Sequence, residues 1–231
     1  MWTFLLSLSC TLQTTQDQTS TDLAIESLQE VLAENQKTDI HPPTTPRVII
    51  LGDSLTAGLG LDVDQAYPAL VAEQLGAMGH PTEILNAGQS GDTTAGGLRR
   101  VDWLLKQNPD LLIVELGAND GMRGIPLVEI EKNLNGIIDK AQNKNVPVFL
   151  MDMYIPPNFG KEYTDGFHNL FAEIAKEQEI PLMPFMLQEV AGKPELNQAD
   201  GIHPTAEGHT IMATVVLESI KDWRTSWTPT H

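Results

Sequence analysis

Four short stretches of this sequence combine small residues with side chains suited to nucleophilic or acid–base chemistry. They are Gly52-Asp53-Ser54, Asn86-Ala87-Gly88-Gln89-Ser90-Gly91-Asp92-Thr93, Gly117-Ala118-Asn119-Asp120-Gly121 and Asp200-Gly201-Ile202-His203-Pro204. A serine hydroxyl is a weak nucleophile until an adjacent base takes its proton. Ser54 is the candidate nucleophile, and His203, a side chain that titrates near neutrality, is the candidate base. Asp200 stands three residues before His203, close enough to fold back, fix the imidazole tautomer and stabilise the imidazolium. Attack on an acyl carbon leaves negative charge on the former carbonyl oxygen, and each donor aimed there is worth ~3 kcal/mol. The backbone N–H groups of Ser54 and Gly91 and the side-chain amide of Asn119 are the candidate oxyanion donors.

Taken singly, each stretch has an ordinary reading. Ser54 could be a helix N-cap, and Gly117-Ala118-Asn119-Asp120 a plain turn. Asp200 and His203 could be a cap-and-loop pair or metal ligands, although no further His or Cys cluster completes a zinc site. His41, His80, His168 and His231 have no motif around them, and His209 falls on the last helix without an assigned role. What weighs for function is the combination: four such stretches in this order, each at the boundary of a strand or helix.

The elements that would carry them alternate regularly. Arg47 to Gly52 is an apolar, β-branched run closed by turn residues, as expected of a buried parallel strand. Further strands are expected at Thr82 to Asn86, Leu111 to Leu116, Val146 to Met151 and Ile180 to Met183. Helices are expected at Tyr67 to Met78, Thr93 to Gln107, Pro126 to Lys144, Tyr163 to Glu179 and Ala206 to Trp223. In the first of these, Leu70, Val71, Leu75 and Met78 share one face. Strands alternating with helices of ten or more residues imply right-handed βαβ units and a parallel sheet covered on both faces. Loops at the carboxyl ends of such strands share one edge, so the first three stretches should meet, and the fourth leads into a helix that can reach the same edge.

The 231 residues fit one domain of ordinary size plus a tail. A formal net charge of -17 excludes a nucleic-acid-binding role and electrostatic docking on anionic lipid. The single cysteine, Cys10, rules out an internal disulfide and a cysteine-based metal site. Neither a Walker A loop nor Gly-x-Gly-x-x-Gly follows the first strand, so a nucleotide-binding protein is disfavoured. Thr56 stands where the second glycine of a Gly-x-Ser-x-Gly elbow would be, which disfavours the α/β-hydrolase fold.

Residues 1–46 have a different character. Met1 to Ser9 is too short for a membrane span of roughly 18 residues. With Cys10 it resembles the end of a bacterial lipoprotein signal peptide, which implies export to the periplasm or outer membrane and lipidation of Cys10. No Lys or Arg precedes the apolar run, and Ser7 stands where Leu is usual. A frayed apolar terminus with an incidental cysteine, and a cytoplasmic protein, stay open. Thr11 to Thr21 reads as a flexible tether, Asp22 to Asn35 as a short amphipathic helix, and Lys37 to Pro46 as a stiff linker. The folded domain is expected over 47–225.

The four stretches resemble the sequence blocks of the SGNH (GDSL) hydrolase superfamily, in particular its bacterial thioesterase I / lysophospholipase / arylesterase branch. The resemblance runs from Arg47 to about Trp223. It covers Leu51-Gly52-Asp53-Ser54-Leu55-Thr56-Ala57-Gly58, Ser90-Gly91-Asp92-Thr93, Val114 to Gly124 and Asp200-Gly201-Ile202-His203-Pro204. The common Gly-Gly-Asn-Asp form reads Gly-Ala-Asn-Asp here. The resemblance implies Ser54 as nucleophile, Gly91 and Asn119 as oxyanion donors, His203 as base and Asp200 as its orienting acid. Met153 to Gly160 resembles the family's substrate-side loop. Its Tyr154 and Phe159 are candidate acyl contacts, against the alternative of an ordinary Pro/Gly loop.

The expectation is therefore a flavodoxin-like three-layer α/β/α sandwich around a central parallel sheet, the SGNH hydrolase fold. It would serve as a serine esterase acting on carboxylic esters and also thioesters or lysophospholipids through an acyl-enzyme. No cofactor and no metal are expected. The expected partners are a small-molecule ester or lipid substrate, no nucleic acid, and a membrane only through a lipid on Cys10, with the protein a monomer. A carbohydrate O-acetyl esterase and a non-catalytic binding module on the same fold are the alternatives.

Overall fold

The computed structural model describes residues 45–229. The expectations for Cys10, the tether and the Asp22 to Asn35 helix lie outside the described residues, as does most of the Lys37 to Pro46 linker.

Five parallel strands form one sheet in the order β2-β1-β3-β4-β5. They are β1 (Arg47–Gly52), β2 (Glu83–Gly88), β3 (Leu111–Glu115), β4 (Val148–Met151) and β5 (Leu182–Met183). Every residue of β1 and β3 is buried, as continuous apolar strands covered on both faces must be. β1 pairs through Ile50 with Asn86 on one side and Ile113 on the other. The chain steps outward from β1 to β2, then returns past β1 to β3. This reversal puts a topological switch point at the carboxyl end of β1, where open α/β sheets place their ligands.

Among the described residues seven α-helices accompany the strands: α1 (Ser54–Ala57), α2 (Tyr67–Ala77), α3 (Thr94–Leu105), α4 (Ala118–Met122), α5 (Leu127–Gln142), α6 (Lys161–Glu177) and, after the last strand, α7 (Ala206–Ser226). α2 packs on α7, while α3, α5 and α6 pack side by side. With right-handed crossovers the two groups cover opposite faces of the sheet, which gives the expected three-layer, flavodoxin-like sandwich. The core joins both faces: Val71, Leu75, Met212 and Val216 on one group, and Val101, Leu134, Ile137, Phe167 and Phe171 on the other.

Two details differ from the expectation. Met78 does not share the buried face of α2 but is 51% exposed, because the helix ends at Ala77 and Gly79 turns the chain in the left-handed region at φ 81°. The Ala118–Met122 stretch is a short helix rather than an open loop. Its Asp120 is buried and accepts from the Thr94 N–H at 2.8 Å and the Thr94 hydroxyl at 2.7 Å. That contact holds the end of β3 against the start of α3.

Candidate active site

The site is built outward from the end of β1. Gly52 closes the strand, and a Cβ there would stand 2.0 Å from Thr56 Oγ1 and 2.6 Å from Glu115 Oε2. Only glycine permits so tight an entry into α1. Asp53 caps this one-turn helix, its Oδ1 accepting the Leu55 N–H at 3.0 Å. Ser54 is the first helical residue and is half-buried, its hydroxyl turned to the cavity at the sheet edge. The alternative reading of Ser54 as the cap is thus not met; Asp53 holds that position.

Ser54 Oγ lies 2.9 Å from His203 Nε2. His203 Nδ1 lies 2.7 Å from Asp200 Oδ2, and Asp200 Oδ1 accepts the N–H groups of Ile202 (2.9 Å) and His203 (3.0 Å). Those bonds hold the Asp200 carboxyl well below the usual carboxylate range, the backbone N–H of His203 contributing most. Asp200 is therefore an anion wherever the protein is folded near neutrality. The loop has its own anchor in Gln198. Its Nε2 donates to Leu59 O at 2.8 Å and Pro204 O at 2.9 Å, joining the histidine loop to the segment that follows α1. No sequence motif singles out Gln198.

Gly91 and Asn119 come to the same cavity from the ends of β2 and β3. Gly91 sits at φ 77°, a conformation that favours glycine. Asn119 Nδ2 donates to Asp53 Oδ2 at 3.0 Å, and the amide carries a second hydrogen for another acceptor. Burial pushes the Asp53 carboxyl up to about 6, against the lowering effect of the Leu55 and Asn119 hydrogen bonds.

The cavity beside Ser54 has a volume of about 530 Å³. Its apolar wall includes Leu55, Leu59, Met122, Ile155, Phe185 and Ile202. Tyr154 lines it as expected. Phe159 does not: this loop's share of the lining ends at Pro156, and the chain then turns away through the 3-10 turn Pro157–Phe159. Phe185, Leu187 and Ala191 are wall residues that the sequence reading missed, since the 184–193 segment has no periodicity or motif to announce it. Among the described residues no group of three His, Cys, Asp or Glu is placed to hold a metal ion.

His209 is fully buried on α7, its Nδ1 accepting the Tyr67 N–H at 3.1 Å. Burial, then the charge of His203, lowers its pKa to about 4. It is a neutral structural acceptor.

A doubly wound parallel sheet with a serine, a histidine and an aspartate aligned at its switch point defines a serine hydrolase. Residues 50–211 match the family model described as GDSL-like Lipase/Acylhydrolase. An arylesterase of Vibrio mimicus is 39% identical over 175 residues, spanning 75% of this chain and 88% of that one. Thioesterase 1/protease 1/lysophospholipase L1 of Escherichia coli is likewise 39% identical over 175 residues, covering 83% of its length. Among solved structures, the psychrotrophic esterase EstA from Pseudoalteromonas sp. superposes with a TM-score of 0.75 at 36% identity, covering 78% of this chain and 99% of that one. The chain belongs to the GDSL-like lipase/acylhydrolase family, and it is a serine hydrolase of the esterase kind.

Proposed function

We propose that Ser54, His203 and Asp200 form the catalytic triad of this esterase. His203 Nε2 takes the Ser54 proton as Oγ attacks the acyl carbon. It then delivers that proton to the leaving alcohol or thiol. The acyl-enzyme forms as the bond to the leaving group breaks, and water attacks it by the same route with His203 again as base. Asp200 keeps the Nδ1 proton facing itself and steadies the imidazolium. The Ser54 and Gly91 N–H groups and Asn119 Nδ2 receive the developing oxyanion. The observation that carries this reading is the unbroken chain from Ser54 through His203 to Asp200, at 2.9 and 2.7 Å.

The substrates in this reading are carboxylic esters and thioesters of short to medium acyl chains, lysophospholipids included. The support is the apolar cavity wall and the printed names of the relatives. In this reading the protein works as a monomer. The segment before residue 47 serves as an export signal and tether, with lipid on Cys10; the support is the sequence resemblance alone. Labelling with a fatty-acid probe tests it, since label that persists in Cys10→Ser removes that site.

The deciding experiment is hydrolysis of p-nitrophenyl esters from acetate to palmitate by wild type and Ser54→Ala. Loss of activity in Ser54→Ala with a maximum at butyrate to octanoate is the expected result. Acetate as the sole good substrate would point instead to an O-acetyl esterase, and activity that survives the substitution would remove Ser54 as nucleophile.

A further inference from the structure

Glu115, the last residue of β3, is completely buried and touches no part of the substrate cavity. Its Oε2 accepts two hydrogen bonds from the nucleophile turn, from the Asp53 backbone N–H at 3.3 Å and from Thr56 Oγ1 at 2.6 Å. Its Oε1 is buried and has no partner. A carboxyl in such a place needs an explanation, because an unpaired buried polar atom is costly.

The contacts continue as a chain. Thr56 gives its proton to Glu115, so the 2.7 Å contact between Thr56 Oγ1 and Tyr67 Oη is donated by the tyrosine. The Tyr67 N–H in turn donates to His209 Nδ1, and the two rings stack with centroids 6.1 Å apart. Tyr67 and His209 are both fully buried. His209 lies on the first turn of α7, directly after the loop that carries Asp200 and His203. The chain thus runs beneath the site from β3 through α1 and α2 to α7. It ties the turn that carries Ser54 to the helix behind His203.

We propose that Glu115 is a positioning residue for the nucleophile. Through the Asp53 N–H and the Thr56–Tyr67–His209 chain it holds Ser54 Oγ within hydrogen-bonding reach of His203. The inference rests on the triad reading given above. Burial, with the charge of Asp53 added, pushes the Glu115 carboxyl well above its usual range. What the two donors need is an acceptor oxygen at the Oε2 position, and a glutamine side chain retains one. A leucine at this strand end would leave the Asp53 N–H and the Thr56 hydroxyl without their acceptor.

The test compares kcat and KM for p-nitrophenyl butyrate in Glu115→Gln, Glu115→Leu, Tyr67→Phe and wild type, with Ser54→Ala as control. All are assayed below the melting temperature of the least stable variant. Misplacing a reacting group lowers kcat rather than binding, so Glu115→Leu should lose at least ~10-fold in kcat with KM within ~2-fold. Glu115→Gln should stay within ~3-fold of wild type in both constants, because the amide oxygen can accept both donors. Tyr67→Phe removes one hydroxyl without touching the core packing, and should lower kcat ~3- to 10-fold; it carries the test if Glu115→Leu fails to fold. Wild-type kcat in Glu115→Leu, a loss confined to KM, or Glu115→Gln falling as far as Glu115→Leu would overturn the proposal. So would wild-type kcat in Tyr67→Phe. If Ser54→Ala remains active, the triad reading fails first; if it is inactive and Glu115→Leu is not impaired, the positioning role alone fails.

Discussion

Arg100 and Asp92 form an ion pair at 2.7 Å that fastens the Gly91 loop to the end of β1. Arg100, on α3, also donates to Ala87 O at 2.7 Å and to Gly52 O at 2.9 Å. One guanidinium therefore grips the carboxyl ends of β1 and β2 together with the loop that brings Gly91 to Ser54. A planar fork with several donors can do this; an ammonium point charge cannot reach three divergent acceptors.

Arg100→Ala should destabilise the protein by about 3 kcal/mol, since it strips the buried Asp92 carboxylate of its counter-charge, leaving it the Thr93 N–H alone, and takes one donor each from Ala87 O and Gly52 O. It should also lower kcat, through displacement of Gly91. Arg100→Lys should recover part of the stability and less of the turnover. Urea unfolding and ester hydrolysis on the three proteins would check both. Full turnover in Arg100→Ala would show that the Gly91 loop holds its place unaided.

Asn119→Ala should lower kcat by roughly 10²–10³, the usual cost of one oxyanion donor. Its contact with Asp53 at 3.0 Å adds a second loss, because Asp53 is left with one partner fewer. Steady-state kinetics on p-nitrophenyl butyrate would measure it. Wild-type turnover would remove Asn119 from the oxyanion site.

Tyr154 separates the cavity beside Ser54 from two neighbouring hollows of about 480 and 450 Å³. Its hydroxyl is 3.0 Å from His168 Nε2, and its ring packs against Phe185 at 4.8 Å between centroids. Removing the ring joins these spaces, so Tyr154→Ala should shift the preferred acyl chain toward greater length. Phe159→Ala should leave the profile unchanged, because Phe159 is outside the wall. An unaltered profile in Tyr154→Ala would show that the acyl chain does not run past that residue.

Stability should fall in acid partly through His209. Its folded pKa is lowered from 6.5 to about 4, so the neutral ring's contribution is complete above pH ~6.5 and is lost as pH falls through about 4, up to about 3 kcal/mol in all. Asp53 acts in the opposite sense. Its folded pKa is raised from 3.8 to about 6, so its contribution is complete below the unfolded value and is lost as pH rises through about 6. Unfolding in urea at pH 4.5 and 7.5 separates them: His209→Gln, which can still accept from Tyr67, should lose the acid-side decline while keeping the opposing trend. An acid decline equal to that of wild type would clear His209.

The sequence by itself determined much of this protein. Continuous apolar strands such as Leu111 to Leu116 and helical spacing such as that of Leu98, Val101, Leu104 and Leu105 are local patterns. They were enough for the order of elements and the three layers. The residues of the candidate site could be singled out because the proposed chemistry needs particular side chains in particular turns, as with Asp200 three residues before His203. The tertiary structure alone decided which of those residues touch. Ser54 and His203 are 149 positions apart, and nothing local sets their 2.9 Å contact. It also decided what stands behind them. Glu115 falls within the Leu111 to Leu116 strand and His209 on the last helix, and no motif singles out Arg100 or Gln198. Their roles arise from partners distant in the chain, and a buried polar group is defined by those partners rather than by its neighbours in sequence. Tyr154 and Phe159 were equivalent in the sequence, five residues apart in one loop. The turn at Pro157–Phe159 leaves the first in the cavity wall and the second outside it.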